Sequence, residues 1–200
     1  MLANKQPILT VLGGMGPMAG IELHKRIIFN TVAKRDQDHY NIQHICFPCL
    51  VDDRTQYLKS PKGVNPGLQA GELFKNTIGD NSYQYIIGVP CNTFHSSTIF
   101  NVFRNTITTD RANVEIINMV ESTVNYIKNK KYGKIGLLST EGTRKTGVYE
   151  NLIKKAGMDL IMVPETRQHE VDDIIYNEEY GIKSLSYAND KVTYKTEKII

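Results

Sequence analysis

Cysteine is scarce in this chain of 200 residues, which contains three of them. An odd number of cysteines gives no disulfide framework, so the reducing cytosol is the expected location. Cys46 and Cys49 have the Cys-x-x-Cys spacing, but a zinc site needs a second pair of ligands and only Cys91 remains, so no metal site is predicted. A redox pair of this kind normally opens a helix. These two cysteines lie at the end of a predicted strand, and we therefore expect a structural role for them.

Long apolar runs and an excess of charge of either sign are also missing. No apolar run approaches the roughly 20 residues needed to span a bilayer, and residues 1–7 lack the apolar stretch of a signal peptide. The 24 basic and 21 acidic residues give a formal net charge of +3, and no dense basic stripe is present. Neither a membrane nor a nucleic acid is therefore a predicted partner.

Apolar runs of strand length alternate along the chain with segments of helical periodicity. This alternation predicts an α/β fold with a parallel sheet covered by helices, in which ligands bind beyond the carboxyl ends of the strands. Residues 48–66 contain three prolines and are predicted to be a loop. The predicted strands are Ile8–Leu12, 41–47, 85–89, Val114–Ile117, 134–138 and 160–163. The predicted helices are 18–33, 68–78, 93–105, 120–129 and 143–156, with a mostly helical, polar segment from residue 169 onwards.

An approximate repeat divides the chain. Residues 11–17 can be aligned with residues 137–143, and each segment consists of the end of a strand, a turn of small residues and the start of a helix. The repeat predicts two pseudo-symmetric α/β units, residues 1–112 and 113–200, which face each other across a cleft. The second copy ends before it reaches an equivalent of Cys91, so we expect the second unit to be incomplete at its C-terminal end.

Residues 89–94, Val-Pro-Cys-Asn-Thr-Phe, begin at the last residue of a buried apolar run and so place Cys91 at the carboxyl edge of a sheet. A helix starting near Thr93 would direct amide N–H groups towards the sulfur and favour a thiolate. Free cysteine has a pKa of about 8.5, so its proton can move in either direction near neutral pH. Cys91 is therefore a candidate acid–base group; the alternative is an inert, buried side chain.

Neighbouring residues are candidates for binding a small anionic ligand. Asn92 and Thr93 offer donors for a carboxylate, although both residue types are also common helix caps, and Phe94 belongs to the same segment. The turn of residues 13–17 lacks the lysine of a phosphate loop. It is better explained as a tight turn that brings backbone, and Met15, close to a small ligand; simple packing of Met15 is the alternative.

Arg54 lies in the proline-bounded loop. Its guanidinium is suited to forming a bidentate contact with a carboxylate, whereas a solvated surface arginine is the alternative.

Five of these segments together resemble the cofactor-independent aspartate/glutamate racemase family. They occur in the order found in that family, and the resemblance extends from about residue 8 to at least residue 179. The matching segments are residues 12–17, 34–39, 53–55, 90–93, and 142–143 with 147–150.

The resemblance implies an amino-acid racemase without a cofactor, built from two α/β domains that each contribute one catalytic cysteine. It implies that Cys91 is one base and that Arg54 recognises the side-chain carboxylate of aspartate or, less favoured, glutamate. Thr140 and Thr143 would hold the substrate from the second unit. His169 falls near a cationic binding position, and a surface histidine is the alternative. Family members are often dimers, which predicts a homodimer.

The second cysteine of the family lies in a Gly-Cys-Thr-Glu segment, and these 200 residues contain no such segment. Two hypotheses follow. The first is a racemase with a replacement base, for which Glu141, Glu165 and His169 are candidates. The second is a relative that binds an acidic amino acid and has lost racemisation. A lyase or isomerase with one cysteine lies between them.

Overall fold

Parallel strands form two sheets, one in each of the units Met1–Met119 and Val120–Ile200 into which the chain divides. The computed structural model describes residues 6–78, 83–109, 113–185 and 189–200. The predicted α/β class with parallel sheets is thereby confirmed. The internal pseudo-symmetry stays a prediction, although residues 11–17 and 137–143 each contain a strand end, a turn and a helix start.

The sheet of the first unit has four strands in the order β2-β1-β3-β4, and all three pairings are parallel. The central strand β1 pairs with both β2 and β3, so that Thr10 lies opposite Gln43 on one side and Ile87 on the other. In β1, the successive residues Thr10, Val11 and Leu12 are all buried, so both faces of this strand are covered there, which explains its nearly continuous apolar sequence. The strands are β1 (Ile8–Leu12), β2 (Asn41–Ile45), β3 (Tyr85–Gly88) and β4 (Val114–Ile117).

In the described part of the first unit, four helices accompany this sheet, and a fifth begins at the boundary between the units. They are α1 (Pro17–Phe29), α2 (Arg54–Lys59), α3 (Pro66–Thr77), α4 (Ser97–Thr108) and α5 (Met119–Asn129). Helices α3 and α4 approach each other closely at Gly67, where an added Cβ would lie 2.1 Å from the carbonyl oxygen of Ile99. Phe74 and Phe103 are completely buried in the core between these helices and the sheet. Each such side chain stabilises the fold by about 1.5–3 kcal/mol.

The second unit contains a two-stranded parallel sheet of β5 (Lys134–Leu137) and β6 (Asp159–Met162). Its core is formed by buried side chains of α5, α7 and the connecting segments, namely Val120, Val124, Tyr149, Ile153 and Met158. The helices that follow β5 are α6 (Glu141–Lys145), α7 (Glu150–Lys155), α8 (Gln168–Tyr176), α9 (Ile182–Leu185) and α10 (Asp190–Ile199).

Helix α10 packs on α8 through a separate apolar cluster that includes Ile174 and Val192. A polar contact at its edge joins the same helices, because Lys195 Nζ lies 2.6 Å from a carboxylate oxygen of Asp173. Tyr180 Oη donates to the same carboxylate. Within the described ranges, no helix combines the length and the apolar character needed to cross a membrane.

The helix predicted for residues 18–33 ends at Phe29, and three further predicted elements are of another type or are interrupted. Residues 48–66, predicted to be a loop, contain α2, whose N-terminus is capped by the side chain of Asp53 accepting from the N–H of Gln56 at 2.8 Å. The single helix predicted for residues 143–156 is divided into α6 and α7, because Gly147 adopts φ 61° between them. The helix predicted for residues 93–105 is interrupted at Ser96, whose φ of −58° and ψ of 140° are not helical.

Candidate active site

The turn after β1 closes tightly over the loop that follows β2. Gly13 N–H donates to the carbonyl oxygen of Ile45 at 2.8 Å. Gly14 adopts φ +82°, and a Cβ there would lie 3.2 Å from the backbone nitrogens of Phe47 and Pro48. Glycine is required at position 14 for both reasons. The turn places Met15 in the core of the first unit with 4% of its surface exposed.

Arg54 is buried, with 8% of its surface exposed, so the alternative of a solvated surface arginine is wrong. Its Nη1 donates to the carbonyl oxygen of Asp52 at 3.0 Å, and its Nη2 donates to that of Met15, also at 3.0 Å. Its Nε is buried and has no hydrogen-bond partner among the described residues. The guanidinium thus holds the turn after β1 through neutral carbonyl groups, while its buried Nε–H has no partner in the described part of the chain.

Cys91 follows β3, at the carboxyl end of the first sheet, and its side chain is half-buried against the core. Its N–H donates to the carbonyl oxygen of Val89 at 2.9 Å. The expected helix N-terminus beside the sulfur is wrong, because a three-residue 3-10 turn, Thr93–His95, comes first and α4 starts only at Ser97. A 3-10 turn this short lacks the aligned peptide dipoles of a longer helix.

The predicted substrate-binding residues beside Cys91 differ in their exposure to solvent. The side chain of Asn92 is exposed, and that of Thr93 is buried. Phe94 is completely buried and packs edge-on against Phe103, with ring centroids 5.1 Å apart. The prediction that Phe94 contacts substrate is therefore corrected to a role in the core. The chain brings this segment next to α2, the helix that begins with Arg54.

His95 is a residue of this site that sequence reasoning missed. Its Nδ1 lies 2.8 Å from the carbonyl oxygen of Cys91, and its Nε2 accepts from the N–H of Met119 at 3.2 Å. A carbonyl oxygen only accepts and an amide N–H only donates, so these partners together select the neutral imidazole with its proton on Nδ1. Burial lowers the pKa of His95, although its hydrogen bond to Cys91 acts in the opposite direction. The signal in the sequence was its position four residues after Cys91.

The candidates in the second unit lie in and after the turn that follows β5. Thr140 caps α6, accepting at Oγ1 from the N–H of Thr143 at 3.3 Å, and Thr143 is buried. Sequence reasoning missed Arg144, which donates to the carbonyl oxygen of Val163 at 2.7 Å and to the side chain of Gln168 at 3.1 Å. Arg144 therefore joins the segments that leave the carboxyl ends of β5 and β6.

The three candidates for a replacement base also belong to the second unit. Glu141 pairs with Lys145 at 2.6 Å. Glu165 lies in the exposed 3-10 turn Glu165–Arg167, and His169 is exposed in the first turn of α8. The structure gives these three residues different surroundings and selects none of them as a base.

Cys46 and Cys49 are free thiols with exposed side chains. They lie on either side of the Phe47–Pro48 segment that packs against Gly14. Among the residues that the structure describes, no group of three or more histidine, cysteine, aspartate or glutamate side chains is arranged to hold a metal ion.

Comparison with known proteins decides the family. Residues 12–187 match the model of the Asp/Glu/hydantoin racemase family. The chain belongs to this family. Among solved structures, it resembles the Picrophilus torridus aspartate racemase, with a TM-score of 0.73 and 22% identity over 97% of this chain and 74% of that one. It also resembles an aspartate racemase homologue from Pyrococcus horikoshii, with a TM-score of 0.59 and 16% identity over 98% of this chain and 82% of that one. At these identities, both similarities establish the fold.

Proposed function

We propose that this racemase-family protein interconverts the enantiomers of an acidic amino acid without a cofactor, with aspartate favoured over glutamate. The observation that carries the proposal is the position of Cys91. Its half-buried thiol lies beyond the carboxyl end of β3, where ligands of parallel sheets bind. In the proposed reaction, the thiolate of Cys91 removes the Cα proton from one face of the substrate, and an acid on the opposite face returns one.

A thiol suits this reaction because its ordinary pKa, about 8.5, lies near neutral pH. A group of this kind can act as a base in one direction and as an acid in the other. The carbanion formed in between needs stabilisation by donors of the protein, because the proposed reaction has no cofactor to accept its charge. Asn92 and Thr93 follow Cys91 directly and are the proposed contacts of the α-carboxylate.

Arg54 is the proposed partner of the side-chain carboxylate. Its buried Nε lacks a hydrogen-bond partner in the described part of the chain, and its Nη1 and Nη2 donate to main-chain carbonyl groups. A buried guanidinium in this state favours an anionic ligand, because a carboxylate compensates its charge and satisfies its remaining donor. Met15 lies in the turn that Arg54 holds. Thr140, Thr143 and His169 stay proposals for substrate contacts from the second unit.

Incubation of L- and D-aspartate with the protein in heavy water tests the reaction. We expect deuterium at Cα together with inversion of configuration. Cys91→Ala should abolish the exchange, and Cys49→Ala is the matched control because it removes an exposed thiol from the same unit. Exchange that survives Cys91→Ala would overturn the assignment of the base.

A binding protein is the second candidate, and one observation favours it. All three cysteines of the 200 residues lie in the first unit, at positions 46, 49 and 91. Aspartate binding by calorimetry without any Cα exchange would support binding alone. Exchange of one enantiomer with retention would support a single competent base.

We further propose that the protein forms a homodimer. Light scattering after gel filtration tests this directly.

A further inference from the structure

The imidazole of His95 connects two loops at the carboxyl end of the first sheet. Cys91 lies in the segment that follows β3, and Met119 follows β4, the neighbouring strand. His95 reaches both, because its Nδ1 contacts the Cys91 carbonyl oxygen at 2.8 Å and its Nε2 contacts the Met119 amide at 3.2 Å. Both backbone polar groups of Cys91 are thus hydrogen-bonded, because its carbonyl oxygen contacts His95 and its N–H donates to the carbonyl oxygen of Val89.

The imidazole itself has little freedom to move. It has 6% of its surface exposed, and it stacks on Phe100 with ring centroids 4.8 Å apart and an angle of 26° between the planes. The ring of Phe94 lies edge-on to the imidazole, with ring centroids 6.3 Å apart. Packing on two aromatic rings and two directional hydrogen bonds therefore determine the orientation of the ring and, through it, the orientation of the Cys91 peptide.

We infer that His95 is a positioning residue for Cys91, holding the backbone of the cysteine so that its sulfur faces the substrate site. The inference rests on the proposed role of Cys91, and it goes beyond that role by assigning the orientation of the sulfur to a residue that does not touch substrate. A purely structural histidine would stabilise the fold without changing the reactivity of Cys91 in a folded variant.

Two substitutions separate these possibilities because each keeps one of the two hydrogen bonds. In His95→Asn, the side-chain amide occupies the place of Nδ1 and can donate to the Cys91 carbonyl. In His95→Gln, the amide extends to the place of Nε2 and can accept from Met119 while the contact with Cys91 is lost. Both variants lose the stacking on Phe100, so each serves as the control for the stability of the other.

The reactivity of Cys91 is measured by alkylation with iodoacetamide in a Cys46→Ser/Cys49→Ser background, in which Cys91 is the remaining cysteine. We expect His95→Asn to stay within about threefold of the parent rate constant and His95→Gln to fall by about tenfold. The alkylation rate follows the exposure of the sulfur and its thiolate fraction, and both change when the Cys91 peptide turns. In the exchange assay, kcat of His95→Gln should fall by about 100-fold with KM little changed. Equal rates for the two folded variants, at the parent level or below it, would overturn the inference.

A third variant tests the same contact without altering the histidine. Met119→Pro removes the amide that binds Nε2, and proline is tolerated at the first position of a helix such as α5. The alkylation rate should fall about threefold, the value of one neutral hydrogen bond. An unchanged rate would contradict the inference even if both His95 variants failed to fold. If no Cα exchange is detected but the alkylation rates follow the expected pattern, the proposed function is rejected and the positioning role of His95 remains supported.

Discussion

Arg54 Nη2 donates a 3.0 Å hydrogen bond to the main-chain carbonyl oxygen of Met15, 39 residues earlier in the chain. This contact joins the first residue of α2 to the turn after β1. It explains why a charged side chain is buried in the middle of a predicted loop. The same guanidinium shapes the turn and offers the proposed carboxylate contact, so its structural and functional effects need separate measurements.

Arg54→Lys should lower the free energy of unfolding by about 1–3 kcal/mol, because the ammonium group cannot reproduce the planar set of donors and leaves buried carbonyls unsatisfied. Urea unfolding measures this loss. Arg35→Lys is the control, since Arg35 pairs with Asp38 at 3.0 Å with 74% of its side chain exposed. An Arg54→Lys variant as stable as the control variant would contradict this role of Arg54.

If Arg54 also binds substrate, KM for aspartate should rise in Arg54→Lys at a temperature at which the variant is fully folded. Steady-state kinetics of racemisation measures this change. An unchanged KM in the folded variant would limit Arg54 to holding the turn.

Gly67→Ala should destabilise the protein by about 3 kcal/mol, because the new Cβ would overlap backbone atoms that cannot move independently of their helix. Those atoms are the carbonyl oxygen of Ile99 at 2.1 Å and the backbone nitrogen of Phe103 at 2.9 Å. Gly136→Ala is the control, because a Cβ there meets no atom within 4 Å. Thermal unfolding of both variants tests the packing of α3 on α4, and equal midpoints would contradict it.

Stability should decrease on acidification through two histidines of the first unit. Burial lowers the pKa of His44, as does the nearby His24, and burial lowers the pKa of His95. The native state therefore binds fewer protons than the unfolded chain, in which histidine has a pKa of about 6.5. The resulting stabilisation is complete above that value and is lost as the pH falls through the lower pKa of the folded state.

His44→Asn should reduce the slope of unfolding free energy against pH between about pH 7.5 and about pH 5. Adding His95→Asn should reduce the slope further, because each substitution removes one group that takes up a proton on unfolding. Urea unfolding at a series of pH values gives the slopes. A slope that is the same in the parent and in the double variant would contradict this assignment.

Asp173→Asn should loosen α10. The carboxylate of Asp173 accepts from Lys195, Tyr180 and Asn177, which in that order hold its pKa far below its usual range. The neutral amide loses the ion pair with Lys195, so amides of α10 should exchange faster in hydrogen-exchange mass spectrometry. Helix α7, in the same unit, is the internal reference. Unchanged amide protection in α10 would contradict this role of Asp173 and show that apolar contacts with α8 are enough to hold the helix.

The strands were predictable to within one or two residues because their signal is local. Ile8–Leu12 is a run of apolar and β-branched residues, Val114–Ile117 is a similar run with the single charged residue Glu115, and both predicted ranges are those of the structure. The position of Cys91 after β3 followed from the same kind of signal. The place of the thiol beyond the carboxyl end of β3 was therefore predictable from the sequence.

The surroundings of the thiol were not readable, because they depend on contacts between distant residues. The interruption before α4 accompanies the bond from Met119 to His95, which spans 24 residues. The burial of Arg54 depends on Met15, and the role of Arg144 depends on Gln168, 24 residues away. Periodicity reports which face of an element is apolar, and it carries no information about such polar partners.

The most direct test of the central claim is the rate of deuterium incorporation at Cα of L-aspartate, compared between Cys91→Ser and Cys49→Ser. We expect exchange at the parent rate in Cys49→Ser and no exchange above background in Cys91→Ser, because a hydroxyl is a far weaker acid than a thiol at neutral pH. Comparable exchange in the two variants, or its absence from the parent protein, would contradict the account.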